Sequence, residues 1–204
     1  MEPFTVHEGI AAPLMRANID TDAIIPSREM KRVSKTGLGE GLFAGWRYLE
    51  EGGRELNPDF VLNKPGYAGV SILLAGPNFG CGSSREHAVW ALAEFGIRAI
   101  IAPSFGGIFE NNCMRNGLLP VTLPQQSIDE IVGWIQEQPN PHMLVVNLLE
   151  QRVECGPDVF EFTIESEARR MLVAGLDAID VTLEQWPRIS AFHEARKSRY
   201  KWLY

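Results

Sequence analysis

Residues 76–88 read "GPNFGCGSSREHA". They concentrate the side chains of this chain best suited to chemistry. Three glycines let the backbone approach a ligand closely. Cys81, Ser83 and Ser84 carry hydroxyl or thiol groups, Arg85 a planar fork of donors suited to a carboxylate, and Glu86 and His87 titrate. The stretch leaves an apolar run, "VSILLAG", and enters a helical pattern. That order leaves free backbone N–H groups and the positive end of a helix dipole at about Gly82 to Arg85, an arrangement that binds anions. A structural alternative stands beside it. Ser83 and Glu86 form S-x-x-E, a capping box that by itself accounts for both residues. Arg85 weighs against pure capping, because a cation in the first turn opposes the dipole unless an anion lies near.

Other chemistries fit less well. No lysine stands where a Walker loop needs one. Gly82-Ser83-Ser84-Arg85-Glu86 ends in Glu where a G-x-S-x-G elbow needs Gly, which disfavours a serine hydrolase built on Ser83 with His142 or His193. Cys81 lacks a cysteine-protease signature and reads as a packing thiol. Asp20 and Asp22 read first as turn formers before Pro26, with a role near the site as the alternative. His87, one turn into the helix, reads as a group that orients the turn. Trp90 and Phe95 read as core.

The elements that must position this turn follow from periodicity. Residues 70–76 form a buried strand. Ala88, Ala91, Leu92 and Phe95 fall at helical spacing, and Gly96 supplies the residue past the helix end. "IRAIIAP", a helix ending at Gly117, "LLPVTLP" and a helix opened by a Ser127–Glu130 capping box continue a βαβ grammar, hence a parallel sheet. The pattern then changes. Residues 143–164 read as two antiparallel strands around Gly156-Pro157, and the C-terminus is helical, with Pro187 delaying its last helix. Residues 4–26 read as short mixed segments. Residues 27–66 are rich in loop signals, with a short helix at about 42–50. Within them, residues 27–41 are expected to form a mobile loop that orders around a ligand. The whole, residues 1–204, is read as a single domain.

Composition narrows the partners. Of 204 residues 45% are hydrophobic and 22% charged, ordinary for a globular chain, and the formal net charge is −7 without a basic block. Nucleic acid is therefore not an expected partner. The basic stretch from Arg196 to Lys201 reads as a solvated helix end. The first residues show no secretory pattern, and no apolar run is long enough for a membrane span, so a cytoplasmic location is expected. Cys81, Cys113 and Cys155 are too few and too widely spaced for a disulfide framework or a self-contained metal site, so no metal is expected on this chain.

The motif "GPNFGCGSSREHA" resembles the swivel-domain signature of the aconitase superfamily. "NIDTDAIIP", "PDFVLN", "IAPSFGGIFENN", "GLLPV" and "GLDAIDVTL" resemble the small subunits of its isopropylmalate dehydratase branch, and the likeness runs from about Phe4 to the last helix. The resemblance implies a three-layer β/β/α swivelling domain, with a mixed sheet and a helical C-terminus. It implies a large-subunit partner that carries a [4Fe-4S] cluster, whose open iron acts as Lewis acid, and no cofactor on this chain. It implies a hydro-lyase of leucine biosynthesis that isomerises 2-isopropylmalate to 3-isopropylmalate through 2-isopropylmaleate. Residue by residue, Ser83 matches the catalytic base, and Ser84 and Arg85 match residues that hold a substrate carboxylate. Related readings are a citraconate or dimethylmaleate type of hydratase, and a non-catalytic anion-binding subunit; the resemblance implies that the 27–35 loop, "SREMKRVSK", separates the hydratases by contacting the substrate's side group, with Met30 and Val33 its apolar candidates.

Overall fold

The computed structural model describes residues 1–30, 36–82, 85–137 and 143–203. A seven-stranded sheet organises it. The strands are β1 (Val6–Leu14), β2 (Val70–Ala75), β3 (Ala99–Ala102), β4 (Leu119–Thr122), β5 (Met143–Asn147), β6 (Arg152–Cys155) and β7 (Asp158–Glu161). Their order is β4-β3-β2-β1-β5-β6-β7. The β1–β4 half is parallel, and β5, β6 and β7 add antiparallel. The helices are α1 (Thr21–Ile24), α2 (Ala44–Arg47), α3 (Glu86–Phe95), α4 (Gly107–Arg115), α5 (Gln125–Glu137), α6 (Ser166–Ala174), α7 (Ala178–Leu183) and α8 (Trp186–Arg199).

β2, β3 and β4 are buried on both faces, so they read as unbroken apolar runs rather than alternating ones. Leu73, Ala75, Ile100 and Ala102 point into one core, with α3, α4 and the segment from Ile19 to Leu62. Ile72, Leu74, Ala99 and Ile101 point into the other, with α5 and α6. Leu144, Val146, Val153 and Cys155 join this second core, so the antiparallel half curls over the same apolar layer. The architecture is the mixed α/β fold anticipated above.

Several expectations are corrected. The N-terminal segment is a nine-residue strand at the centre of the sheet. His7, Glu8, Gly9 and Pro13 break its alternation. Pro13 is tolerated because β5 pairs only with Val6–Ile10, so the end of β1 is bonded on one side. The segment 143–164 holds three strands, the Gly156-Pro157 turn joining the last two. Ser127 is the third residue of α5 and opens nothing, since the helix starts at Gln125. α8 begins only at Trp186, with Pro187 at its second position, where the missing N–H is harmless, so the proline marks the late start as expected. Trp90 and Phe95 are half-buried at the edge of the first core.

Candidate functional site

The carboxyl ends of β1, β2 and β3 lie side by side and feed three turns: residues 15–20, 76–82 and 103–106. Open α/β sheets bind ligands in this place. The three turns are laced together by backbone. Asn18 N–H donates to the Pro77 carbonyl at 2.9 Å, Gly80 N–H to Ile19 at 2.7 Å, and Thr21 N–H to Cys81 at 3.1 Å. On the other side Phe79 N–H donates to Ser104 at 3.1 Å, and Gly106 N–H to Phe79 at 2.8 Å. Asn18 and Asn78 are both left-handed, with φ of 56° and 61°, and the amide of Asn78 donates to the Asn18 side chain at 2.8 Å. Ser104 Oγ accepts from the Asn78 N–H. Asn is the non-glycine residue that best tolerates this region, so the signal was present in both turns.

Packing explains the glycines. A Cβ on Gly76 would lie 2.5 Å from the Arg16 carbonyl. One on Gly80, whose φ is +73°, would lie 2.1 Å from the ring of Phe109. Phe109 is the buried foot of α4 and meets Phe79 edge-on at 5.5 Å. Gly76 thus lets backbone meet backbone, and Gly80 lets the turn sit on the Phe109 ring.

The helix starts later than a capping box requires. Arg85 occupies the N-cap position of α3 without a side-chain cap, and Glu86 is the first helical residue rather than the third. The Glu86 carboxylate accepts from the Asn116 amide at 2.9 Å. The S-x-x-E reading is thus corrected: Glu86 is spent on α4's end, not on the turn.

Arg85 does find an anion. Its Nη1 lies 2.6 Å from Asp22 Oδ1, both groups reaching solvent. Asp20 and Asp22, alike in sequence, separate here. Asp20 caps α1, accepting from Ala23 N–H at 2.7 Å, as a turn former should. Asp22 faces the arginine, a partnership that nothing in the local sequence marks. Among the described residues Asp22 alone pairs with the guanidinium, through one nitrogen, and the remaining donors suit a carboxylate. His87 packs its ring against Trp90 at 4.8 Å, in keeping with a structural role. Ser83 and Ser84 lie outside the described residues, as do Val33 and His142.

The segment leading to the site from residue 27 is anchored at both described ends. Glu29, buried beneath Gly41, pairs with Arg54 at 2.7 Å, and Arg28 pairs with Glu51. On the far side the Glu94 carboxylate of α3 accepts from the N–H groups of Gly37, Leu38 and Gly39 at 2.6, 2.5 and 2.8 Å. Those bonds, that of Gly37 foremost, hold its carboxyl below the usual value.

Two of the three thiols are buried, and they stand apart. Cys113 lies in the first core and Cys155 in the second, on opposite faces of the sheet. Burial pushes the Cys113 thiol well up and that of Cys155 up to about 12, so both are held as neutral thiols. Among the described residues no three of His, Cys, Asp or Glu gather as a metal set.

Residues 1–126 match the family described as the Aconitase C-terminal domain. A solved structure titled 3-isopropylmalate dehydratase, from Methanocaldococcus jannaschii, shares the fold with a TM-score of 0.64 at 24% identity, covering 91% of this chain and 98% of that one. Nearer in sequence is the 3-isopropylmalate dehydratase small subunit of Cupriavidus necator, 58% identical over 100% of this chain and 99% of its own length. That of Paramagnetospirillum magneticum is 48% identical, with both chains fully covered. The chain belongs to the 3-isopropylmalate dehydratase small subunit family.

Proposed function

We propose that this chain is the small subunit of a heteromeric hydro-lyase that isomerises 2-isopropylmalate to 3-isopropylmalate through 2-isopropylmaleate. The full-length identity of 58% to a relative bearing that name carries the reading. The platform of laced turns with Arg85 at its rim supports it, since a dicarboxylate needs a rigid anion site. The large subunit is the proposed partner and the holder of a [4Fe-4S] cluster, the chemistry of which is Lewis-acid activation of the departing hydroxyl. Among the described residues no helix is long and apolar enough to cross a membrane, and a cytoplasmic location is proposed. The whole chain is taken as one domain, its segment 27–41 ordering around substrate.

The work of this chain is then as follows. Arg85 offers its fork to one substrate carboxylate, and Ser84 adds a hydroxyl contact to it. Ser83 Oγ accepts the proton from the carbon beside the hydroxyl-bearing one as the double bond forms, and returns it when water adds the other way round. A serine is a poor base at its free pKa. Its position just ahead of the N-terminus of α3 supports the assignment, because backbone N–H groups, the helix dipole and Arg85 favour an oxyanion there.

The test is reconstitution. Cluster-loaded large subunit mixed with this chain should interconvert the two isopropylmalates, and the small subunit alone should not. Ser83→Gly should fold and bind the partner, yet turn over roughly 10²–10⁴-fold more slowly, the usual worth of a positioned proton acceptor. Glycine is well tolerated at the start of a helix, so the substitution should cost only roughly a few tenths of a kcal/mol of stability. Near-normal turnover would remove the serine from the proton transfer and send the search to the other subunit.

A further inference from the structure

The C-terminal arm, α7, α8 and the closing turn at Lys201–Leu203, carries no buried residue among those described. It nevertheless holds eight of the fifteen large apolar side chains that stand exposed on the described chain. Trp202 is 79% exposed, Phe192 68% and Trp186 58%. Phe192, Tyr200, Trp202 and Leu203 frame an open cleft of about 530 Å³ with the stems of Arg196 and Arg199. A helix of this length is marginal in water without tertiary packing. Contiguous exposed aromatics rimmed by arginine are the composition of interface hot spots.

Three occupants can be weighed on charge and shape. From Trp186 to Leu203 there are five cations against one carboxylate, in a chain whose formal net charge is −7. Arm-to-arm pairing of two copies would bring like charges together. The acidic body of a second copy matches the arm in charge but not in apolar surface. Its exposed apolar side chains stand singly, at the two ends of β1, on α4, on β7 and in the β5–β6 turn, with Leu49 and Leu56 alone in one turn. A membrane surface needs one apolar face, whereas Trp186, Ile189 and Phe192 recur every third residue and wind around the helix by about 60° a step. Among the described residues, moreover, none of Arg196, Lys197, Arg199 and Lys201 is matched by a carboxylate in this chain.

We infer that the arm docks onto the large subunit, in an apolar groove whose rim bears carboxylates, with Phe192 and Trp202 as anchors and Arg196 and Arg199 pairing at the edge. This rests on the heteromer reading above. The basic stretch that sequence suggested to be a solvated helix end is, on this inference, the rim of an interface.

The experiment titrates cluster-loaded large subunit with the full-length chain and two full-length variants, Phe192→Ala/Trp202→Ala and Arg196→Glu/Arg199→Glu. Calorimetry gives Kd, and a turnover assay at saturating small subunit gives kcat. Since the four side chains are exposed, both variants should melt at the wild-type temperature. The aromatic variant should raise Kd at least tenfold. The charge variant should raise it strongly at low salt, and the gap should close as salt rises. Saturating kcat should be unchanged. Unchanged Kd in both variants overturns the inference. So does a small-subunit dimer, or binding to anionic phosphatidylglycerol vesicles, that the substitutions abolish while Kd for the large subunit stays the same. If the wild-type chain itself neither binds nor activates the large subunit, the proposed function fails and not merely the role of the arm.

Discussion

At the level of single residues, Arg85 stands at the N-cap of α3 with one nitrogen held by Asp22. Its oddity was legible: a cation at a helix N-terminus demands an anion. What answers the demand in the chain itself is Asp22, 63 residues away in sequence, which no local pattern points to. Both groups are partly exposed, so the pair contributes little to stability, about 0–1 kcal/mol. Its value lies in geometry: it holds one nitrogen of the fork and so fixes the plane in which the others face a carboxylate. Arg85→Lys keeps the charge and loses the plane. In the reconstituted enzyme it should raise KM for isopropylmalate by about tenfold or more, the worth of a charge-assisted contact of roughly 1.5–3 kcal/mol, with a melting temperature close to wild type. Steady-state kinetics and a thermal melt decide it. Unchanged KM and kcat would show that the guanidinium serves only Asp22.

At the level of elements, the strand–helix alternation from residue 70 to 137 was plain in the sequence because each parallel strand is apolar on both faces and each helix has a period to follow. Gly96 ends α3 with a left-handed φ of 109°, as a glycine after a helical stripe foretells. β1 was not legible, because its partners on the two sides come from residues 70–75 and 143–147 and its own pattern is broken by Gly9 and Pro13. The clamp of Glu94 on residues 37–39 was hidden for the same reason: a surface carboxylate on a helix looks like any other. Its carboxyl is held low in the folded chain, so the clamp contributes its full stability above the ordinary carboxylate pKa of about 4.3 and loses it as pH falls toward the lower folded value. Glu94→Gln should therefore destabilise the chain at pH 7 by on the order of 1 kcal/mol, a figure reduced for exposure. The difference from wild type should shrink as pH is lowered below about 4. Urea unfolding at a series of pH values measures it, and a gap that does not depend on pH would mean that the N–H groups are satisfied without the charge.

At the level of the whole molecule, one sheet separates two cores, and each core contains one buried thiol. Cys113 sits with α3 and α4 beneath the site, and Cys155 sits with α5 and α6 under the curled antiparallel half. Cys81 stands apart at the site turn, partly exposed. This placement lets the proposal of a single domain be tested without any partner. A thiol reagent at pH 8 should label Cys81 within the mixing time or soon after. Cys113 and Cys155 should stay protected, because neither forms thiolate in its buried state and neither is reached by solvent. Their labelling then requires opening of the core around them. If residues 1–204 fold as one cooperative unit, the two must become reactive together, at equal rates across a urea series and with one midpoint. The alternative is physically reasonable, since the Aconitase C-terminal domain match ends at residue 126, before β5, and the antiparallel half joins the sheet only through β1. If Cys155 became labelled at lower urea than Cys113, the curled half would open by itself, and the single-domain proposal would give way to a parallel core with a separable antiparallel cover.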